Sequence, residues 1–384
     1  MSRGDALIDP GFSTPAMSAC FSPSAHVRAM LRVHAALALS CADIGLETAA
    51  VAEEIASACA SVEVDAGQVL ADGWQVGTPV LALRAALAAH LSPAAATSLN
   101  NGYGSTSQDI IDTALQLQIR AGLVAIEADL QPLARRLAQL ATEHRSTPMI
   151  GRTFMQHARP TTFGLRVAQW LDPVAELLFQ LAQAPSACCI QLGGLVGTLD
   201  GLGPGGLDVS ARFADRLGLH NPITSWHDDR RRITEVCDLV GRLSACMSKI
   251  ATDIALLCST EINEIRVRSG GSSSMAGKRN PFDSVRAIAA AHACIGAVGT
   301  LSTAPSIELE RGLGGWHVEW FAVPVVFMTG AAAVEATLAS LQSMEVDAAA
   351  MLRNVGDHES AETTALAAAA VDRIVAHHAP KIAG

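Results

Sequence analysis

The sequence predicts an all-α fold, and three observations lead there. Aromatic residues make up only 4% of the 384 residues, with a single tyrosine, Tyr103, while half of the chain is hydrophobic and alanine is abundant. Alanine is the strongest helix former, whereas β-sandwiches and barrels draw on aromatic and β-branched residues. Apolar residues also recur at alternating spacings of three and four, as at Ile233, Val236, Val240, Leu243, Met247, Ile250, Ile254 and Leu257. Such a stripe, averaging about 3.5 residues, marks long helices packed nearly parallel in a bundle.

In chain order, residues 1–105 read as an amino-terminal domain of short helices separated by Pro and Gly. Ser22-Pro23-Ser24 opens a helical stretch carrying Val27, Met30, Leu31, His34 and Leu37, and the run Asn100 to Gly104 reads as a loop. Residues 106–345 read as the central helical bundle. Its first stripe runs through Ile110, Ala114, Leu117, Ala121, Val124 and Ala128, its second through Leu130, Leu133, Leu137 and Leu140, and its third is the one above. A helix of about 30 residues is ~45 Å long, which a compact single subunit covers poorly. Flanking positions (Leu239, Ala245, Ala251, Leu256) are also apolar or small. Burial of more than one face, in a core shared between subunits, is therefore expected. Residues 346–384 read as a short carboxy-terminal helical domain with a helix near Ala361 to Ile374.

Composition excludes several functions. A net charge of −10, from 27 basic and 37 acidic side chains, leaves no electrostatic footprint for nucleic acid. The nine cysteines are scattered and none has zinc spacing, so reduced, buried thiols in a cytoplasmic protein are expected. The opening MSRGDALIDPGFSTP lacks an apolar core, so no signal peptide is expected. The longest apolar stretch, Trp320 to Val334, is broken by Pro324 and falls short of the roughly 18–20 residues of a membrane span.

Four stretches carry chemistry. Gly104-Ser105-Thr106-Ser107-Gln108-Asp109 is a hydroxyl-rich turn feeding a long helix, where Thr106 or Ser107 can cap and free N–H groups can meet an anion. Gly151 to Thr162 clusters Arg152, Thr153, Gln156 and His157 in a Pro-bounded loop. Trp226-His227-Asp228-Asp229-Arg230-Arg231-Arg232 places three arginines where a helix dipole disfavours them, which suggests that an anion comes to meet them. Ser269 to Pro281 is a Gly/Ser loop ending on Lys278-Arg279-Asn280-Pro281 with Asp283 beyond. Asn280, Pro281 and Asp283 read there as N-cap, N1 and N3 of the next helix. A flexible serine loop that closes with a lysine and helix N–H groups suits a lid over a carboxylate.

Gly271-Ser272-Ser273-Ser274-Met275-Ala276-Gly277-Lys278-Arg279-Asn280 resembles the G-S-S-x-M-P-x-K-x-N motif of the fumarase/aspartase superfamily. The Thr106-Ser107-Gln108-Asp109 and Gly151-Arg152-Thr153 loops are similar to that superfamily's other two active-site regions, in the expected order. Within it, the chain looks most like the 3-carboxy-cis,cis-muconate cycloisomerase branch. The carriers are Gly104 to Asp109 with Asp112-Thr113, Trp226-His227 before Arg230, Lys278 to Pro281, and Glu310-Arg311-Gly312-Leu313-Gly314-Gly315-Trp316 with Glu319-Trp320. Phe154 stands where the superfamily's lyases often carry a histidine, and Ala276 replaces the motif proline.

The resemblance implies a three-domain all-α homotetramer with a central long-helix bundle and a shortened carboxy-terminal domain. It implies active sites shared between subunits, a small polycarboxylate substrate, and reversible lactonisation of a muconate-type tricarboxylate. It implies no metal and no organic cofactor. Ser272 would be the general base, with Lys278 and Asn280 holding the carboxylate that gathers charge. Thr106, Ser107, Gln108, Arg152, Thr153, Gln156, Ser273, Met275, Arg230 and Arg311 would contact the rest of the substrate, and His157 is the leading proton donor ahead of His227 and His317. Two alternatives stay open: a lyase releasing fumarate from a substituted succinate, and a non-catalytic homologue.

Overall fold

The computed structural model describes residues 10–268, 278–357 and 361–382. Six short helices come first: α1 (Pro15–Phe21), α2 (Pro23–Asp43), α3 (Ala49–Ser61), α4 (Ala66–Val76), α5 (Pro79–Ala88) and α6 (Pro93–Asn101). Their starts are dictated locally. α1, α2, α5 and α6 each open on a Ser or Thr whose hydroxyl caps the helix, followed by Pro at the first helical position. Pro fits there because its missing N–H would have no intrahelical partner.

The bundle follows: α7 (Ser107–Glu143), α8 (Phe163–Gln183), the shorter α9 (Gly206–Leu217), α10 (Arg231–Leu257), α11 (Phe282–Leu301) and α12 (Gly315–Gln342). The first two stripes read from the sequence belong to one 37-residue helix that runs through Pro132, and the third stripe is α10. Between α7 and α8 lies a hairpin, β1 (Pro148–Thr153) with β2 (Gln156–Thr162). A second small pair joins β3 (Ile265–Arg266) to β4 (Glu345–Val346). α13 (Ala348–Val355) and α14 (Ala361–Ile382) close the chain, α14 reaching eight residues past the expected end.

Helix direction decides where the site residues go. α7, α10 and α12 start at one end of the bundle, tied together by Arg230, which bonds Asp112 and Glu319. α8 and α11 run the other way: Gly164 at the start of α8 donates to the His144 carbonyl just past α7 (2.9 Å), and Ser284 near the start of α11 meets Ser340 near the end of α12 (3.0 Å). The helices press closely. A Cβ on Gly330 of α12 would lie 2.5 Å from Val240 of α10, so only glycine permits that approach.

Apolar character extends further than the sequence stretch suggested, because both α11 and α12 match a membrane span by length and composition. For α12 the reason is its place in the core, with 72% of its most apolar window buried among α7, α10 and α11. α11 differs: only 39% of its window is buried, and Phe282, Val285 and Ile295 are exposed. All nine cysteines are unpaired, and burial pushes the Cys41, Cys59 and Cys188 thiols up to about 12.

Candidate active site

The candidate residues fall into two groups at opposite ends of the bundle. At the front end, where α7 begins, Thr106 is the N-cap. Its N–H donates to the Asp109 carboxylate (2.8 Å), and its Oγ1 accepts from Arg311 Nη1 (2.5 Å). A second Arg311 N–H reaches the Leu195 carbonyl (3.1 Å). Two of its five N–H groups thus have described partners, and the half-buried guanidinium is aimed across the Thr106 turn. Ser107, the first helical residue, is half-buried beside it.

Asp109 organises this end. Its buried carboxylate accepts from the Gly193 and Gly194 N–H groups (2.9 and 3.0 Å) as well as from Thr106, and lies 2.7 Å from His227 Nε2. Gly193 is required because a Cβ there would press on Ser225 and His227. The sequence does not advertise this Asp109–His227 pair, 118 residues apart. The one signal for it was the acid three residues after a threonine cap.

Three of the expected contact residues also bond within the chain. Gln108, an expected substrate contact, is fully buried; its amide donates to the His227 carbonyl (3.0 Å), and its Oε1 has no partner among the described residues. It lies on the inward face of α7. Arg230 was expected to pair with a substrate carboxylate. Instead its side chain is 0% exposed and all five of its N–H groups meet Asp112, Glu319 and the Trp226 carbonyl. No donor is left for an anion. Arg231 pairs with Asp229 two residues before it (2.9 Å), so two of the three arginines in the run are engaged within the chain.

The rear end holds the hairpin and the lysine segment. Phe154 and Met155 form the two-residue hairpin turn with φ of 50° and 64°. Such a turn demands left-handed backbone and normally takes Asn-Gly. Phe154 is fully exposed at its tip, and Thr153, Gln156 and His157 beside it are exposed too. Arg152 is the third such residue. It was expected to bind substrate, but its guanidinium is bidentate to the buried Glu264 (3.1 and 2.6 Å) and anchors the hairpin base. Asn354 of α13 donates to the same carboxylate (2.8 Å). Glu264, not anticipated, therefore ties the hairpin, the strand leading to the serine loop and the carboxy-terminal helices together.

Lys278 and Arg279 are exposed and Asn280 is half-buried. α11 starts at Phe282 with Pro281 as its cap residue, one position later than the sequence suggested. Asp283 in its first turn does not fold back as a cap; its carboxylate is held by Arg268 (2.9–3.1 Å). That ion pair also clips together the two ends of the segment carrying Ser272, Ser273 and Met275, which lie outside the described residues. His317 lines an apolar cavity of about 340 Å³ with Trp74, Ile111, Leu115 and Trp320 near the front end.

One chain does not bring the two groups together. α7 alone separates them by 37 residues, about 55 Å at 1.5 Å per residue.

With this geometry, comparison with known proteins is informative. The sequence profile of the lyase family matches residues 11–296. A 3-carboxy-cis,cis-muconate cycloisomerase of Pseudomonas aeruginosa is 36% identical over 97% of this chain and 83% of its own length. Among solved structures, the 3-carboxy-cis,cis-muconate lactonizing enzyme of Pseudomonas putida superposes with a TM-score of 0.85 at 32% identity, covering 95% of this chain and 87% of that one. A fumarate lyase from Mesorhizobium sp. BNC1 superposes at 0.84 with 31% identity, over 92% and 80% of the two chains.

Proposed function

Because the chain belongs to the lyase family of the fumarase/aspartase superfamily, we propose that this enzyme interconverts a muconate-type tricarboxylate and its lactone, as a 3-carboxy-cis,cis-muconate cycloisomerase does. The observation that carries this reading is the likeness to such cycloisomerases along nearly the whole chain.

The chemistry is a proton on carbon beside a carboxylate. In the lactonising direction, a substrate carboxylate oxygen bonds to one alkene carbon. The electron pair of the double bond moves onto the neighbouring carboxylate as an enediolate, and the adjacent carbon then takes a proton. In reverse, a base removes that proton as the C–O bond breaks. Nothing is oxidised or reduced, so no redox cofactor enters. The tethered carboxylate is its own nucleophile at high effective concentration. Its leaving oxygen needs less acid help than an amine, which fits Phe154 in place of a histidine.

Ser272 is the base of this scheme, with Lys278 and Asn280 on the carboxylate that gathers negative charge. Thr106, Ser107, Thr153, Gln156, Ser273, Met275 and Arg311 line the substrate. Two proton donors are proposed: His157 on the exposed strand β2, and His227, whose ring is oriented by Asp109. The split of these residues between bundle ends requires antiparallel subunits, so that one chain's front end meets another's rear end. The exposed apolar residues of α11 and the exposed Phe154 tip support that tetramer.

The direct test is ultraviolet absorbance with 3-carboxy-cis,cis-muconate, whose conjugated diene is lost on ring closure. Fumarate released from a substituted succinate, with no diene loss, would instead favour the lyase reading that the Mesorhizobium structure suggests. Neither activity, with no tricarboxylate binding at millimolar concentration, would favour a non-catalytic homologue. Arg311→Ala removes a charge-assisted contact of about 1.5–3 kcal/mol, so KM should rise by roughly 10- to 150-fold. An unchanged KM would take Arg311 out of the pocket.

A further inference from the structure

Outside the two candidate ends, α8 and α14 bring together a different set of side chains. Asp172 and Glu176 lie one turn apart on α8, and His377, His378 and Lys381 lie on α14. We propose that Glu176, His377 and His378 bind a divalent transition cation of the zinc class, which clasps α14 onto α8.

The ligand atoms of these three residues all lie within 4.8 Å of one another. Both His377 Nε2 and His378 Nδ1 stand 3.9 Å from Glu176 Oε1. Metal–ligand bonds of about 2.0–2.2 Å meet at a common centre from atoms so spaced, after small side-chain adjustments. Two imidazole nitrogens with one carboxylate suit zinc, cobalt or nickel rather than magnesium or calcium, which favour oxygen.

The second observation is independent of that proximity. The His378 side chain is 0% exposed. Its Nε2 is 2.7 Å from Asp172 Oδ1, a contact that holds the ring hydrogen on Nε2. The lone pair is then left on Nδ1, which is buried, faces Glu176 and has no hydrogen-bond partner among the described residues. An unsatisfied buried acceptor costs free energy, and a cation at this point removes that cost. A carboxylate fixing the tautomer of a histidine whose other nitrogen takes the metal is a recurring outer-shell arrangement. His377 and Glu176 are partly exposed, so a hydrated ion has a way in.

Lys381 competes for the site, since its ammonium pairs with Glu176. It is at the end of a flexible chain, and binding requires it to swing away. This makes a sharp test. Chelator-treated protein titrated with Co2+ should bind one ion per site with a visible d–d band, and Zn2+ should slow hydrogen exchange in residues 361–382. His377→Ala and Glu176→Gln should each weaken Co2+ binding by about 10- to 100-fold, while Lys381→Met should tighten it. Absence of a band at millimolar Co2+ would overturn the proposal. So would binding that survives His377→Ala, which would put the ion elsewhere, or binding that weakens in Lys381→Met.

Discussion

Arg230→Ala should destabilise the protein by about 3–5 kcal/mol, the usual result of removing one partner from a buried ion pair. Arg230 sits between Asp112 and Glu319 with its side chain fully buried, and it stacks 4.7 Å from the Trp226 ring. Without it two carboxylates face each other in the core. The urea midpoint at fixed protein concentration reads the loss, and a change below about 1 kcal/mol would contradict a structural role. Adding Asp112→Asn and Glu319→Gln to the variant should recover part of the loss, because the three residues act as one network.

The triad sets two carboxyl groups against one guanidinium, and this has a pH signature. Burial pushes the Glu319 carboxyl up to about 7, with Asp112 adding to the rise and Arg230 opposing it. A carboxyl that titrates higher when folded favours the protonated form. Its contribution is whole below its ordinary value of 4.5 and is lost as pH climbs through about 7. Glu319→Gln should therefore flatten the decline of stability between roughly pH 5 and 8. Parallel curves for the two proteins would sink this assignment.

Ser272→Ala should lower turnover by about 10²–10⁴-fold, the range for loss of a positioned general base. Substrate binding and subunit assembly should persist, because the Arg268–Asp283 pair still clips the ends of the segment. Lys278→Ala should impair both KM and kcat, since a cation on the reacting carboxylate acts in the ground state and more strongly as charge develops. Near-normal turnover in Ser272→Ala, in a protein active on carboxymuconate, would move the base elsewhere. His227 beside Asp109 would be the next residue to substitute.

Much of the fold is legible because its rules are local. The α10 stripe predicts a helix from 233 to 257, and the chain folds one over Arg231–Leu257. Ser22-Pro23 predicts a helix start, and Ser22 caps α2. Thr106 as a cap is equally local. What misleads is charge whose partner is distant in sequence. Arg230 invites an anion when seen among Arg231 and Arg232, yet its partners lie 118 and 89 residues away. Arg152 looks free in its loop until Glu264 arrives from 112 residues along.

By itself the sequence determined the long helices, the Ser and Thr caps and the motif residues, since hydrophobic period and capping chemistry act within a few residues. Only the tertiary structure decided which charged groups neutralise one another and which stay open to a ligand. Helix direction then sends Thr106 and Lys278 to opposite ends, so the physics of the bundle, not the motifs, separates them. The same assembly sets Glu176 beside His377 and His378, a proximity that two packed helices create and no linear spacing encodes.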